Sequence, residues 1–147
     1  MIALDTNILI YAAQTAADPR KSIAIDIVAR AALIDSVLPV QALVEFANAC
    51  RKKGLLDNHS IAARVADWSE SFVIVAAAAE DVGAGLALVE RFKLAFYDAM
   101  LCSTVRRCGA TTLLSEDMQD GADFAGLRVV NPFAERNRAV VAGLLAG

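Results

Sequence analysis

What the chain lacks narrows its chemistry first. His59 is its one histidine, so acid–base cleavage shared between two imidazoles cannot be assembled within one chain. The three cysteines (Cys50, Cys102 and Cys108) show no C-x-x-C spacing and are odd in number. They predict small buried thiols, kept reduced, rather than a disulfide framework. With one histidine, a Cys/His zinc site has too few ligands at the right spacing. The most apolar run, Phe72–Ala79, is far shorter than the roughly 20 residues a membrane span needs. Asp5 stands where a secretory signal would carry its basic and apolar regions. A soluble, cytoplasmic protein is expected. A formal net charge of −3 excludes a broadly basic nucleic-acid coat while leaving room for local basic patches.

Aromatic residues are also few: six Phe, two Tyr and one Trp. Their place is taken by 30 alanines, and alanine is the best helix former, so helices must dominate. At 147 residues and 57% hydrophobic, the chain fits one domain over 1–147.

Ile2–Leu4 is a short apolar run stopped by Asp5-Thr6-Asn7, all helix-capping types. It reads as a buried strand feeding a helix over Ile8–Ala13. Pro19 breaks the chain, and Ser22–Leu33 shows helical spacing through Ile23, Ile27 and Ala31. Ser36–Leu38 is strand-like, and Pro39 suits the first turn of a helix to Lys53 closed by Gly54. Further helices are expected over Asn58–Ser69, Glu80–Phe92, Tyr97–Arg107 and Ala134–Leu145. Strands are expected at Phe72–Val75, Thr111–Leu114 and Leu127–Val130. Gly83 and Gly85, inside one helix, predict tight helix packing. The strands are short, apolar and joined by no hairpin turn. That pattern implies an α/β fold with a parallel sheet covered on both faces. In such sheets the working site lies beyond the carboxyl ends of the strands, where strand order reverses.

Acidic residues at strand ends therefore matter most. Asp5 closes the first strand, and Asp117 follows the Thr111–Leu114 strand by three residues. Asp98 starts a helix behind Phe96-Tyr97, and Glu45 lies mid-helix. Each has an ordinary explanation when taken singly. Asp5, Asp98 and Ser115 can cap helices, and Glu45 shares a face with Gln41, Asn48 and Lys52, as on a solvated stripe. Converging on one cleft, the acids would repel one another and lose hydration, which raises their pKa values. A hard divalent cation removes that penalty, and Mg²⁺ or Mn²⁺ prefers oxygen ligands plus water. Such a site hydrolyses phosphodiesters without a histidine.

Four segments carry a family resemblance: Asp5-Thr6-Asn7, Val44-Glu45-Phe46, Phe96-Tyr97-Asp98-Ala99, and Leu114-Ser115-Glu116-Asp117-Met118-Gln119-Asp120-Gly121. In this order and spacing the chain resembles the PIN-domain ribonucleases, and among them the VapC toxins of toxin–antitoxin pairs. The resemblance spans essentially the whole chain. It implies a three-layer α/β/α domain with a short, mainly parallel sheet. It further implies a Mg²⁺-dependent endoribonuclease, with Mn²⁺ as a substitute, acting through metal-activated water. Asp5 and Asp98 would be the principal metal-binding acids and Glu45 would complete the pocket. Asp117 would be the fourth acid, with Asp120 its rival. Thr6, Asn7 and Ser115 would support the site by hydrogen bonding. A cognate antitoxin and a homodimer are implied partners.

Other readings fare worse or stay open. A haloacid dehalogenase-type phosphatase needs a second Asp two positions after the first, where Asn7 stands. A dinucleotide-binding oxidoreductase needs G-x-G-x-x-G after the first strand, which is missing. A PIN-fold regulatory module without turnover is the alternative, and four intact acids argue against it. Arg51-Lys52-Lys53 and Arg106-Arg107 complement helix dipoles or contact RNA phosphates. The apolar helices Ile23–Leu33 and Ile61–Trp68 are core, with one of them a candidate partner surface. His59 is expected at the surface.

Overall fold

Two-residue alternation, buried on both sides, builds the sheet. In a computed structural model describing residues 1–147, five strands form: β1 (Ile2–Leu4), β2 (Ser36–Pro39), β3 (Val73–Val75), β4 (Thr112–Leu114) and β5 (Arg128–Val130). They pair in parallel throughout, in the order β3-β2-β1-β4-β5. Ile2, Leu4, Leu38, Leu114 and Val130 join one core, while Ala3, Val37, Leu113 and Val129 join another. Successive strand side chains point to opposite faces. Covering both faces therefore demands apolar residues at neighbouring positions, which is why these runs lack polar alternation.

Helices supply the two covers. α1 (Thr6–Ala13), α2 (Arg20–Ala31), α3 (Val40–Lys52), α4 (Asn58–Ser71) and α7 (Arg138–Leu144) pack Ile8, Leu9, Ile27, Phe46, Trp68 and Val141 on one face. α5 (Ala79–Phe92) and α6 (Phe96–Arg107) pack Leu88, Leu101 and Val105 on the other. The result is the expected three-layer α/β/α arrangement. The lone tryptophan, Trp68, meets Phe46 edge-on with ring centroids 4.9 Å apart. All three cysteines are free thiols; Cys50 and Cys102 are buried and Cys108 is half-buried. No helix is long and apolar enough to cross a membrane.

Helix ends follow their glycines. Gly54 and Gly109 adopt positive φ values of 61° and 94°. Leu55 N–H reaches the Cys50 carbonyl at 2.9 Å and Gly54 N–H the Arg51 carbonyl at 3.2 Å. Ala110 and Gly109 repeat the pattern on Val105 and Arg106, both at 2.9 Å. These paired bonds close α3 and α6 with a left-handed residue that costs glycine little.

α5 and α6 pack closely, and Gly85 shows why. A Cβ built there would lie 3.1 Å from Met100 Sδ and 3.6 Å from the Ala99 backbone, whereas one on Gly83 meets nothing within 4 Å. The same helix pair encloses an ion pair that composition did not reveal. Asp81, only 1% exposed, accepts from Arg107 Nε and Nη2, each at 3.0 Å, and from Ala78 N–H at 2.7 Å. Burial works to raise the Asp81 pKa, but the Arg107 and Ala78 bonds outweigh it and hold the carboxyl below its usual range. Arg107 also donates to the Ala76 carbonyl at 2.7 Å. It is committed to the fold and not left free for RNA phosphates.

Three expectations change in detail. Pro39 ends β2 and precedes α3 rather than opening it. The closing helix is interrupted: Glu135–Asn137 form a 3₁₀ turn before α7. There the Asn137 side chain donates to the Asn131 carbonyl and to Asp120, tying the chain back on itself. A tight turn does join one antiparallel bridge, Asp123 with Arg128. It passes through Ala125 (φ 55°) and Gly126 (φ 91°). Two left-handed residues usually announce themselves as Asn-Gly, and alanine hides that signal.

The contrast within α5 is testable by urea unfolding. Gly83→Ala is expected to stabilise by about 0.5–1 kcal/mol through helix propensity. Gly85→Val is expected to destabilise by about 1–3 kcal/mol by overpacking against α6. Equal effects at both sites would remove the close-packing account.

Candidate active site

Strand order decides where chemistry can sit. From β1 the chain steps outward to β2 and β3, then crosses back to lay β4 and β5 on the other side of β1. The reversal falls between β1 and β4, and Asp5 and Ser115 follow the carboxyl ends of those strands. Asp5 N–H donates to the Leu114 carbonyl at 3.0 Å, extending the β1–β4 pairing by one step.

Asp5 is 6% exposed and has both oxygens engaged. Oδ1 accepts from Thr6 N–H at 2.7 Å, the capping bond that starts α1, and Oδ2 accepts from Ser115 Oγ at 2.6 Å. Thr6 Oγ1 donates to Glu45 Oε2 at 3.1 Å, and Gln41 Nε2 donates to Glu45 Oε1 at 2.8 Å. Gln41 also donates to the Tyr97 carbonyl at 2.8 Å, which ties α3 to the first turn of α6. Asn7 Nδ2 donates to Asp117 Oδ2 at 2.5 Å, and Ser115 Oγ accepts from Asp117 N–H at 3.3 Å. Glu45 is thus a held residue and not part of an idle solvated stripe.

Electrostatics place the acids in one field. Burial pushes the Asp5 pKa up to about 6, against the Ser115 and Thr6 bonds that pull it down, and the Asp117 and Glu45 charges add to the rise. Asp98, half-buried, is likewise raised by burial and then by Asp117 and Glu45, with no hydrogen bond to relieve it. Asp5, Glu45, Asp98 and Asp117 therefore share one field; Thr6, Asn7 and Ser115 hold Asp5, Glu45 and Asp117, while Asp98 has no such partner.

Asp120 lies outside this group. It accepts from Asn131 N–H at 2.8 Å, from Asn137 Nδ2 at 2.8 Å and from the Arg136 guanidinium. The Asn131 backbone bond and the Arg136 and Asn137 contacts hold its pKa below the usual range. Its oxygens are spent on the C-terminal segment. Glu116 accepts from the Tyr11 hydroxyl at 2.6 Å and from Arg20 at 2.8 Å, and the Arg20 guanidinium lies 4.1 Å over the Tyr11 ring. Sequence reasoning missed the roles of Glu116 and Gln41. Only for Gln41 was a signal present, its i,i+4 spacing from Glu45.

The four acids line none of the three largest cavities, of 610, 550 and 490 Å³. No three His, Cys, Asp or Glu side chains form a ready-made metal cage. The donor set is all oxygen, with no imidazole or thiolate. It fits a hard cation held by one or two carboxylates that keeps several waters, the habit of Mg²⁺.

Fold and site together define a three-layer α/β protein with an acidic crevice at its topological switch point. The chain belongs to the PIN domain family, whose profile matches residues 2–123. Among solved structures it is similar to a toxin–antitoxin complex from Klebsiella pneumoniae, with TM-score 0.65 and 20% identity over 90% of this chain and 98% of that one. It is similar to VapC20 from Mycobacterium tuberculosis, described as a sarcin–ricin-loop-cleaving toxin, with TM-score 0.65 and 17% identity over 80% and 90%. It is also similar to FitAcB from Neisseria gonorrhoeae, with TM-score 0.61 and 18% identity over 90% and 99%. Compared by sequence with curated proteins, the chain finds no match.

The raised Asp5 pKa has a measurable sign. Folded Asp5 takes up its proton near pH 6 and unfolded Asp5 near the ordinary carboxylate value of 3.8. Its contribution to stability is therefore present at low pH and lost as pH rises through that window. Without divalent cations, Asp5→Asn should be progressively more stable than the parent from about pH 4 to pH 6, reaching roughly 3 kcal/mol and then levelling. A difference that does not change with pH in urea unfolding would reject the buried-charge account.

Proposed function

We propose that the protein is a Mg²⁺-dependent endoribonuclease, with Mn²⁺ able to substitute, and the toxin of a VapBC-type toxin–antitoxin pair. The observation carrying this reading is the convergence of Asp5, Glu45, Asp98 and Asp117 at the switch point of a PIN domain. A cation held there would supply positive charge to offset the repelling carboxylates, to acidify a nearby water and to balance charge on the phosphoryl group. Asp5, fixed by Ser115 and Thr6, and Asp98, free of protein partners, would hold it. Glu45, oriented by Thr6 and Gln41, would accept a proton from the attacking water. Asp117, steadied by Asn7, would complete the acidic wall. Water oxygen bonds to phosphorus as the bond to the 3′-oxygen breaks and that oxygen takes a proton from solvent, leaving 5′-phosphate and 3′-hydroxyl ends. An open crevice in place of a closed cavity suits a polymer.

The reading extends to partners and place. The protein is then a cytoplasmic homodimer held inactive by an antitoxin. Of the two apolar segments, α4 buries Ile61 and Trp68, whereas α2 leaves Ile23 and Ile25 exposed and is followed by the exposed Leu33. A 490 Å³ groove beside α2, lined by Ile23, Ile27, Phe133 and Val141, supports α2 as the antitoxin-facing helix.

Asp98→Asn is expected to abolish cleavage of a labelled RNA while the circular dichroism spectrum stays unchanged, and EDTA should do the same to the parent. Cleavage by Asp98→Asn at the parent rate would reject the metal assignment. Mg²⁺ should raise the Tm of the parent by binding only the folded state. His59 is exposed at the start of α4, so His59→Ala should leave the rate unchanged. Product ends discriminate further, because a 2′,3′-cyclic phosphate would mean that the RNA 2′-hydroxyl attacked.

A further inference from the structure

One face of α3 joins Glu45 to features that the hydrolytic chemistry leaves unused. Gln41, Glu45, Asn48 and Lys52 lie at spacings of four, three and four on α3, so they share one face. At 1.5 Å rise per residue this stripe runs about 16 Å, with Glu45 between its ends. At the Gln41 end, the Gln41 side chain grips the Tyr97 carbonyl at 2.8 Å. Tyr97 is 69% exposed and Phe96 40% exposed, and their rings meet edge-on at 5.4 Å. An aromatic pair with this much open surface contributes little to the core, and it precedes Asp98 directly in the chain.

At the other end, Asn48, Arg51, Lys52, Leu56 and Asn58 line a 300 Å³ cavity. Arg51, Lys52 and Lys53 are three consecutive exposed cations. The ion pairs of the molecule use the amino terminus, Arg20, Arg30, Arg107 and Arg136, so these three remain unpaired. Helix-dipole complementarity accounts for cations near a C-terminus. It does not account for Arg51 and Lys52 lining a polar hollow on the helix that carries Glu45.

We propose that the α3 face is a rail for single-stranded RNA. An unstacked base lies on Tyr97 at one side of the acids, and backbone phosphates pair with Arg51 and Lys52 at the other. A base inside a duplex has no free face for an aromatic ring, so the stacking contact selects single strands. The arrangement resolves an electrostatic conflict: an acidic crevice repels a polyanion, and flanking contacts hold the strand while the acids face one bond. Stacking tolerates any base, so the rail sets strandedness and register more than sequence. This inference rests on the ribonuclease reading for what happens at the acids, but not for the binding itself.

The test is fluorescence anisotropy with 5′-fluorescein decauridylate, single-stranded or annealed to decaadenylate, in the full chain carrying Asp98→Asn. Adding Tyr97→Ala should weaken single-strand binding about 5- to 100-fold, whereas Tyr97→Phe should stay within about two-fold. Arg51→Ala with Lys52→Ala should lower the slope of log K against log salt by about 1.4, or 0.7 for each phosphate left without its cation. The duplex should bind less tightly and ignore Tyr97→Ala. In the active chain the same changes should raise KM and spare kcat. Tyr97→Ala binding like its parent, or no binding by the parent at low salt, would overturn the proposal. So would Tyr97→Ala disturbing self-association or a protein complex while RNA affinity holds, since the face would then be a protein surface. The two readings fail separately. Active chain that binds decauridylate through Tyr97 without cutting it keeps the rail and removes the nuclease, and cleavage with unchanged KM in every variant does the reverse.

Discussion

A carboxylate held between two strands organises this molecule. Asp5 takes a hydroxyl hydrogen bond from Ser115 after β4 and an amide hydrogen bond from Thr6 at the start of α1. One side chain thereby fixes where β1 stops, where α1 begins and how the β4 loop sits across the switch point. These bonds favour the charged form, while burial opposes it and prevails. The fold carries that cost at its topological switch point.

The loop after β4 shows how a run of acids divides its tasks. Asn7 and Tyr11, one turn apart on α1, hold Asp117 and Glu116 respectively. Arg20 stacks on Tyr11 and pairs with both Glu116 and Asp18, so the second bond is backed by a third element. Burial and the Glu116 bond push the Tyr11 hydroxyl up to about 12, so it remains a donor at neutral pH. Three residues further on, Asp120 faces away and anchors Asn131, Arg136 and Asn137. Four acids between 116 and 123 look equivalent in sequence; their partners separate them.

Those partners explain what the sequence could and could not disclose. Local rules reached far. Apolar runs marked the strands, Gly54 and Gly109 marked helix ends, and Asp5 and Asp98 fell at a strand end and a helix start. Asp81 and Arg107 are 26 residues apart, and Glu116 and Tyr11 are 105 apart. No periodicity links such pairs, because they are set by how α5 meets α6 and how the β4 loop meets α1. Ala125 failed for a different reason: it occupies a left-handed turn position that local preference assigns to asparagine or glycine.

The packing of Trp68 on Phe46 has a practical side. Phe46 is the residue after Glu45, so the core face and the acid-bearing face of α3 are separated by one peptide unit. With no second indole in the chain, the emission of the protein arises from a single fluorophore seated against the back of that helix. Any shift of α3 changes the surroundings of that ring. The molecule thus carries a built-in optical gauge of its own crevice, needing neither label nor substrate.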